Sequence, residues 1–98
     1  MKSWYSIQAK ADQSAEISIY DEIGFWGVTA KQFIGDLKAI DATTIKLAIN
    51  SPGGAVFDAL AIYNALRQHP ANVEVTIMGV AASAASIIAM AGDTVVMP

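Results

Sequence analysis

Ser83 stands in the run Gly79-Val80-Ala81-Ala82-Ser83-Ala84-Ala85-Ser86, where every close neighbour of the hydroxyl is small. Small neighbours let another chain's backbone approach. A serine near the start of a helix also sits beside unpaired N–H groups at the positive end of the helix dipole. Acyl transfer asks this of a nucleophile, together with two backbone N–H donors aimed where the carbonyl oxygen becomes an oxyanion. The Ala84 N–H, next in the chain, is one candidate donor. The other comes from INSPGGAVFDA, Ile49 to Ala59, where a strand runs through Ser51-Pro52-Gly53-Gly54 straight into an amphipathic helix. A tight turn needs one glycine at positive φ and a proline to restrict the residue before it. The second glycine is surplus to that need, and the spare N–H of the Gly53-Gly54 pair is the second candidate donor.

Positioning these groups is the task of a short and apolar chain. Of its 98 residues, 54% are hydrophobic and 15% charged, and the mean hydropathy is +0.42. At this length one domain is the limit, and only roughly two-thirds of the unfolded surface is buried. So apolar a composition implies that a partner covers part of the surface or that the chain belongs to something larger. A net charge of -3 with no basic cluster argues against nucleic acid. Without cysteine there is no disulfide, no thiolate metal site and no cysteine nucleophile; no metal or cofactor site is expected. The opening MKSWYSIQAKADQ lacks the apolar core of a secretory signal. The uncharged stretch from Val75 to Gly92 is flanked by Glu74 and Asp93, is rich in Ala and Ser, and changes character at Gly79. It reads as a strand running into a buried helix rather than a membrane span.

The remaining elements alternate. Residues 15–20 alternate as a strand, and 21–27 form a loop with glycines around Phe25 and Trp26. Thr29 is the expected N-cap of a helix through Ile40, with Phe33, Ile34, Leu37 and Ile40 on its apolar stripe. Residues 44–50 form a strand with Ile45, Leu47 and Ile49 on one face. A helix from Val56 to about His69 shows Phe57, Leu60, Ala61, Tyr63, Asn64 and Leu66 as its mostly apolar face, and Pro70 closes it. A strand at 73–78, a helix to about Ala91 and a strand from Asp93 complete the chain. Strands alternating with helices mean βαβ units, an α/β class and a mainly parallel sheet.

Two motifs in this register, SPGG before a helix and G-x-A-A-S about 30 residues later, resemble the proteolytic subunit of the Clp serine proteases. The finer match, INSPGG-x-VFDALAIYNAL followed by G-x-AASAASIIAMAGD, is similar to the Clp-related head maturation proteases of tailed bacteriophages. The resemblance spans nearly all of the chain from about Ala15. It implies the ββα superhelix shared by Clp proteases and crotonases, with Ser83 as nucleophile. It also implies an oxyanion hole built from Gly54 and Ala84, with Pro52 and Gly53 supporting the turn. Further implications are a protein or peptide substrate, a homo-oligomeric ring, no nucleic-acid or membrane partner, and a place in the host cytoplasm or the phage prohead.

A serine hydroxyl needs a base, and the family's histidine and aspartate lie beyond the strand that begins at Asp93. On this reading residues 1–98 are the N-terminal part of one Clp-like domain, holding nucleophile and oxyanion hole without the proton machinery, and inactive alone. His69, in RQHP, reads as an exposed helix-terminal residue favoured there by the dipole; Asp36, Asp58 and Asp93 match no family aspartate. Ser86 reads as a buried hydroxyl bonded to a backbone carbonyl, Ser51 as a turn residue, and Met78, Met90 and Met97 as core. Trp4, Tyr5, Phe25 and Trp26 either line a peptide groove or, as the favoured alternative, pack on the sheet edge or a subunit neighbour. Lys46 is the lysine nearest an active-site element, as a Ser–Lys dyad would need. Two other functions fit the same residues: a crotonase-like acyl-CoA enzyme, which shares the two-donor hole without the serine, and a non-catalytic oligomerising module.

Overall fold

The computed structural model describes residues 3–10, 12–21, 23, 29–81 and 84–96. Along the chain it has β1 (Tyr5–Ala9), β2 (Ser14–Ile19), α1 (Ala30–Lys38), β3 (Thr44–Ser51) and α2 (Val56–Gln68). After these come β4 (Asn72–Ala81), α3 (Ala84–Ala89) and β5 (Thr94–Val96). The strands form one sheet in the order β1-β2-β3-β4-β5, with β1 antiparallel to β2 and all other pairs parallel. Sequential parallel strands joined by right-handed crossovers carry their helices on one face. Accordingly α1 packs on α2 and α2 on α3.

The alternating pattern decides which face is covered. Ile45, Leu47 and Ile49 of β3, Ala15, Ile17 and Ile19 of β2, and Val73 and Val75 of β4 are buried beneath the helices. The residues between them form the open face, where Glu16, Lys46 and Glu74 stand in register across three strands. Opposite charges side by side on neighbouring strands suit a solvated face. Thr29 does cap α1: its hydroxyl accepts from the Gln32 N–H, and the Gln32 side chain accepts from the Thr29 N–H. Phe33 and Leu37 of α1 are buried. Phe33 stacks on Trp4 with ring centroids 5.5 Å apart, while Tyr5 meets both rings edge-on.

Several expectations need correction. Strand β1 is an element the sequence pattern did not reveal, because its exposure follows no clean alternation. Trp4 needs no correction, being fully buried at the sheet edge as one of the two alternatives had it; Phe25, Trp26 and Met97 lie outside the described residues. Helix α1 stops at Lys38, before Ile40. Gly79 does not turn the chain, since β4 continues to Ala81 and α3 is only 6 residues long. The buried stripe of α2 is Ala59, Ile62 and Leu66; of the expected face only Leu66 is buried and Tyr63 half-buried, while Phe57 is 87% exposed. Met78 and Met90 are exposed rather than core, as is Ser86. No helix among the described residues is long and apolar enough to cross a membrane.

Candidate functional site

The candidate site begins where β3 and β4 end side by side. Ser51 pairs with Ala81 across the two strands. Three residues on from each lie Gly54 and Ala84, the two proposed oxyanion donors. Ser83 lies outside the described residues, between Ala81 at the end of β4 and Ala84 at the start of α3. At the open end of a parallel sheet, beyond the carboxyl ends of its strands, ligands of α/β folds usually bind.

The turn itself is held by a small set of contacts. Gly53 takes φ 114°, a region closed to most side-chain-bearing residues. Its N–H donates to Ser51 Oγ at 3.1 Å, and its carbonyl accepts from the Ile23 N–H at 2.7 Å. The carbonyl of Gly53 and the N–H of Gly54 belong to one planar trans peptide unit. With the carbonyl fixed on Ile23, the Gly54 N–H must point the opposite way, and no described residue accepts from it. Gly53's donor is thus consumed and Gly54's is left over.

The second glycine has a further cause that the sequence did not disclose. Ile23 forms an isolated parallel bridge with Gly54, and a Cβ on Gly54 would lie 2.7 Å from the Ile23 carbonyl oxygen. Only a residue without a side chain admits so close an approach. Immediately after it, α2 starts from Ala55 as N-cap with no side-chain cap bond. The first amides of α2 therefore lack the usual Ser, Thr, Asp or Asn acceptor at the cap.

Other candidates are placed away from this end. His69 is the C-cap of α2; Ala55, just past Gly54, caps the opposite end, and 13 helical residues at 1.5 Å each put roughly 20 Å between the two. His69 is half-buried, not exposed, and both ring nitrogens are engaged. The Ala71 N–H donates to Nδ1 at 3.1 Å, so the proton sits on Nε2, which donates to the Ile40 carbonyl at 3.0 Å. Asp93 staples the starts of β4 and β5, its carboxylate accepting from the Val73 N–H at 2.8 Å. Asp36 accepts from the Tyr5 hydroxyl at 2.6 Å. Burial, then the hydrogen bond to Asp36 and its charge, push the Tyr5 phenol from 10.0 up to about 12. Lys46 projects from the open face, five residues of β3 before Ser51, and so is remote from the turn. The described residues hold no cluster of potential metal ligands.

One residue was undervalued by sequence reasoning. Ser51 continues the phase of Ile45, Leu47 and Ile49 and is fully buried. Its hydroxyl donates to the Asp21 carbonyl at 2.7 Å while accepting from Gly53. A polar residue in phase with three core positions was the available signal.

Comparison with known proteins bears on the family and the fold. The family model described as Clp protease matches residues 1–97. The ATP-dependent Clp protease proteolytic subunit of Ligilactobacillus salivarius is 43% identical over 67 residues, covering 64% of this chain and 34% of that protein. The chloroplastic proteolytic subunit 4 of the ATP-dependent Clp protease of Arabidopsis thaliana is 40% identical over 81 residues, covering 74% of this chain and 28% of that protein. Among solved structures, the ClpP protease catalytic domain from Plasmodium falciparum superposes with a TM-score of 0.69 at 31% identity. That match covers 83% of this chain and 46% of the other. The chain thus spans about a third of the length of these curated relatives.

Proposed function

The chain belongs to the Clp protease family, and we propose that it carries the nucleophile and oxyanion hole of a serine endopeptidase. Ser83 attacks the scissile carbonyl, and the N–H groups of Gly54 and Ala84 receive the oxygen as it becomes an oxyanion. The observation that supports this most is the clamped peptide unit at Gly53-Gly54. Its carbonyl is held by Ile23, and its N–H is directed away with no described acceptor, beside the end of β4 that leads to Ser83.

A general base must take the Ser83 proton. His69 is committed to Ile40 and Ala71 at the far end of α2, so the reading places the base in sequence beyond these 98 residues. The substrates are proteins. The extended INSPGG and AASAASIIAMAGD matches favour head or scaffold proteins of a tailed phage, cut during capsid maturation in a ring of identical subunits.

Labelling of the full-length protein with a fluorophosphonate is the direct test. Adduct formation on Ser83, abolished by Ser83→Ala, is the expected result. Acyl-CoA turnover with no adduct at Ser83 would replace this reading with that of a crotonase-like enzyme. The 98-residue chain alone is expected to show no peptide turnover, because the oxyanion hole and binding without a base leave only a small residual acceleration.

A further inference from the structure

We propose that Ser51 is a positioning residue that sets the direction of the Gly54 N–H. The proposal rests on the reading of Gly54 as an oxyanion donor. Ser51 occupies the position at which β3's buried row calls for a fourth apolar side chain, and it is 0% exposed. A serine there leaves apolar contacts unmade, and its hydroxyl is fully spent on backbone. It donates to the Asp21 carbonyl at 2.7 Å and accepts from the Gly53 N–H at 3.1 Å.

These two bonds act on neighbouring peptide units. The Gly53 N–H belongs to the Pro52-Gly53 unit, which Ser51 fixes. The Gly53 carbonyl belongs to the next unit, which the Ile23 N–H fixes at 2.7 Å. Ser51 also holds the carbonyl of Asp21, two residues before the Ile23 N–H that clamps the Gly53 carbonyl. Remove the hydroxyl, and the Gly53 N–H loses its buried acceptor. The Gly53-Gly54 unit can then rotate about a glycine that has no steric barrier of its own. Gly54 N–H then loses its fixed aim, an effect felt only where the oxyanion forms.

The test compares Ser51→Ala and Ser51→Thr in the full-length protein with Ser14→Ala as a control. Ser14 is another buried serine, 7% exposed, whose hydroxyl donates to Asp12 at the opposite end of β2. In Ser51→Ala, the rate of fluorophosphonate labelling at Ser83 and kcat for a peptide should fall about 10- to 100-fold with KM nearly unchanged. Ser51→Thr should recover part of the loss, and Ser14→Ala should leave both rates unchanged. Hydrogen exchange at the Gly53 amide is the second measurement, and it needs no activity. The amide should be protected in the parent protein and in Ser51→Thr, and unprotected in Ser51→Ala. A folded Ser51→Ala protein that labels at the parent rate would overturn the proposal. So would a Gly53 amide in the parent protein that exchanges as fast as an exposed loop amide, even if Ser51→Ala does not fold. If the parent protein takes no label at Ser83 while the Gly53 pattern holds, the peptidase reading fails and the role of Ser51 in the turn stands.

Discussion

Ser51 faces Ala81 across β3 and β4, although just before it Ile49 faces Ile77, so β4 carries two more residues than β3 over this interval. The irregularity falls on Met78-Gly79-Val80, and a glycine inside a strand is a common site of such a bulge. Its consequence is positional. The two extra residues precede the Ser51–Ala81 pair. With them, Gly54 and Ala84 stand equally far beyond a paired position.

Gly54 is the first place to test the turn. An added Cβ would meet the Ile23 oxygen at 2.7 Å and the Ile23 Cβ at 2.8 Å, both on parts of the chain that cannot swing aside. Gly54→Ala is expected to lower stability by about 1–3 kcal/mol, the usual cost of overpacking. Denaturant titration of the variant and the parent checks this. An unchanged midpoint would mean that Ile23 does not lie against Gly54 in solution.

The β-branched alternation of β2 and β3 was legible, because one face of each strand is buried and side chains repeat every second residue. So was Thr29 as a cap, since Gln32 completes a local motif. Helix α2 was misread for a physical reason. It is apolar on more than one side, and periodicity cannot say which stripe meets its neighbours when Phe57 and Leu60 compete with Ala59 and Ile62. The SPGG turn was legible as a turn with a leftover donor. What fixes that donor was not, because Ile23 and Asp21 lie some thirty residues away in the chain and act through backbone atoms that carry no sequence signature.

His69 offers a stability prediction with a functional counterpart. Its ring joins the Ile40 carbonyl to the Ala71 N–H, so His69→Ala leaves two partly buried backbone groups unpaired. The expected loss is about 1–3 kcal/mol. In the full-length protein the same variant should retain its Ser83-dependent turnover under conditions where it is folded. Turnover lost without loss of structure would show that the base has been misassigned.

Tyr5 gives a pH dependence in the alkaline range. Its phenol is raised from 10.0 to about 12, first by burial and then by Asp36. A raised folded-state value means that the protonated group is favoured by folding. Its contribution is therefore complete below about pH 10 and is lost as the pH rises from there through about 12. Chemical denaturation between pH 9 and 12 should show a steeper decline in the parent protein than in Tyr5→Phe. Parallel declines would remove the Tyr5–Asp36 bond from the account.

The exposed apolar side of α2 should govern self-association. Phe57 is 87% exposed, with Val56 at 51% and Leu60 at 40% beside it on the helix. Such a cluster on a short, apolar chain is the kind of surface that a partner covers. Burying one large side chain is worth roughly 1.5–3 kcal/mol, so its removal should weaken association by about 10- to 100-fold. Phe57→Ser is expected to do this while changing the stability of the fold by less than about 0.5 kcal/mol, since the side chain touches little within the chain. Sedimentation across micromolar concentrations, paired with denaturation of the same variant, reads both quantities. Oligomers that persist unchanged in Phe57→Ser would move the interface off this face of α2.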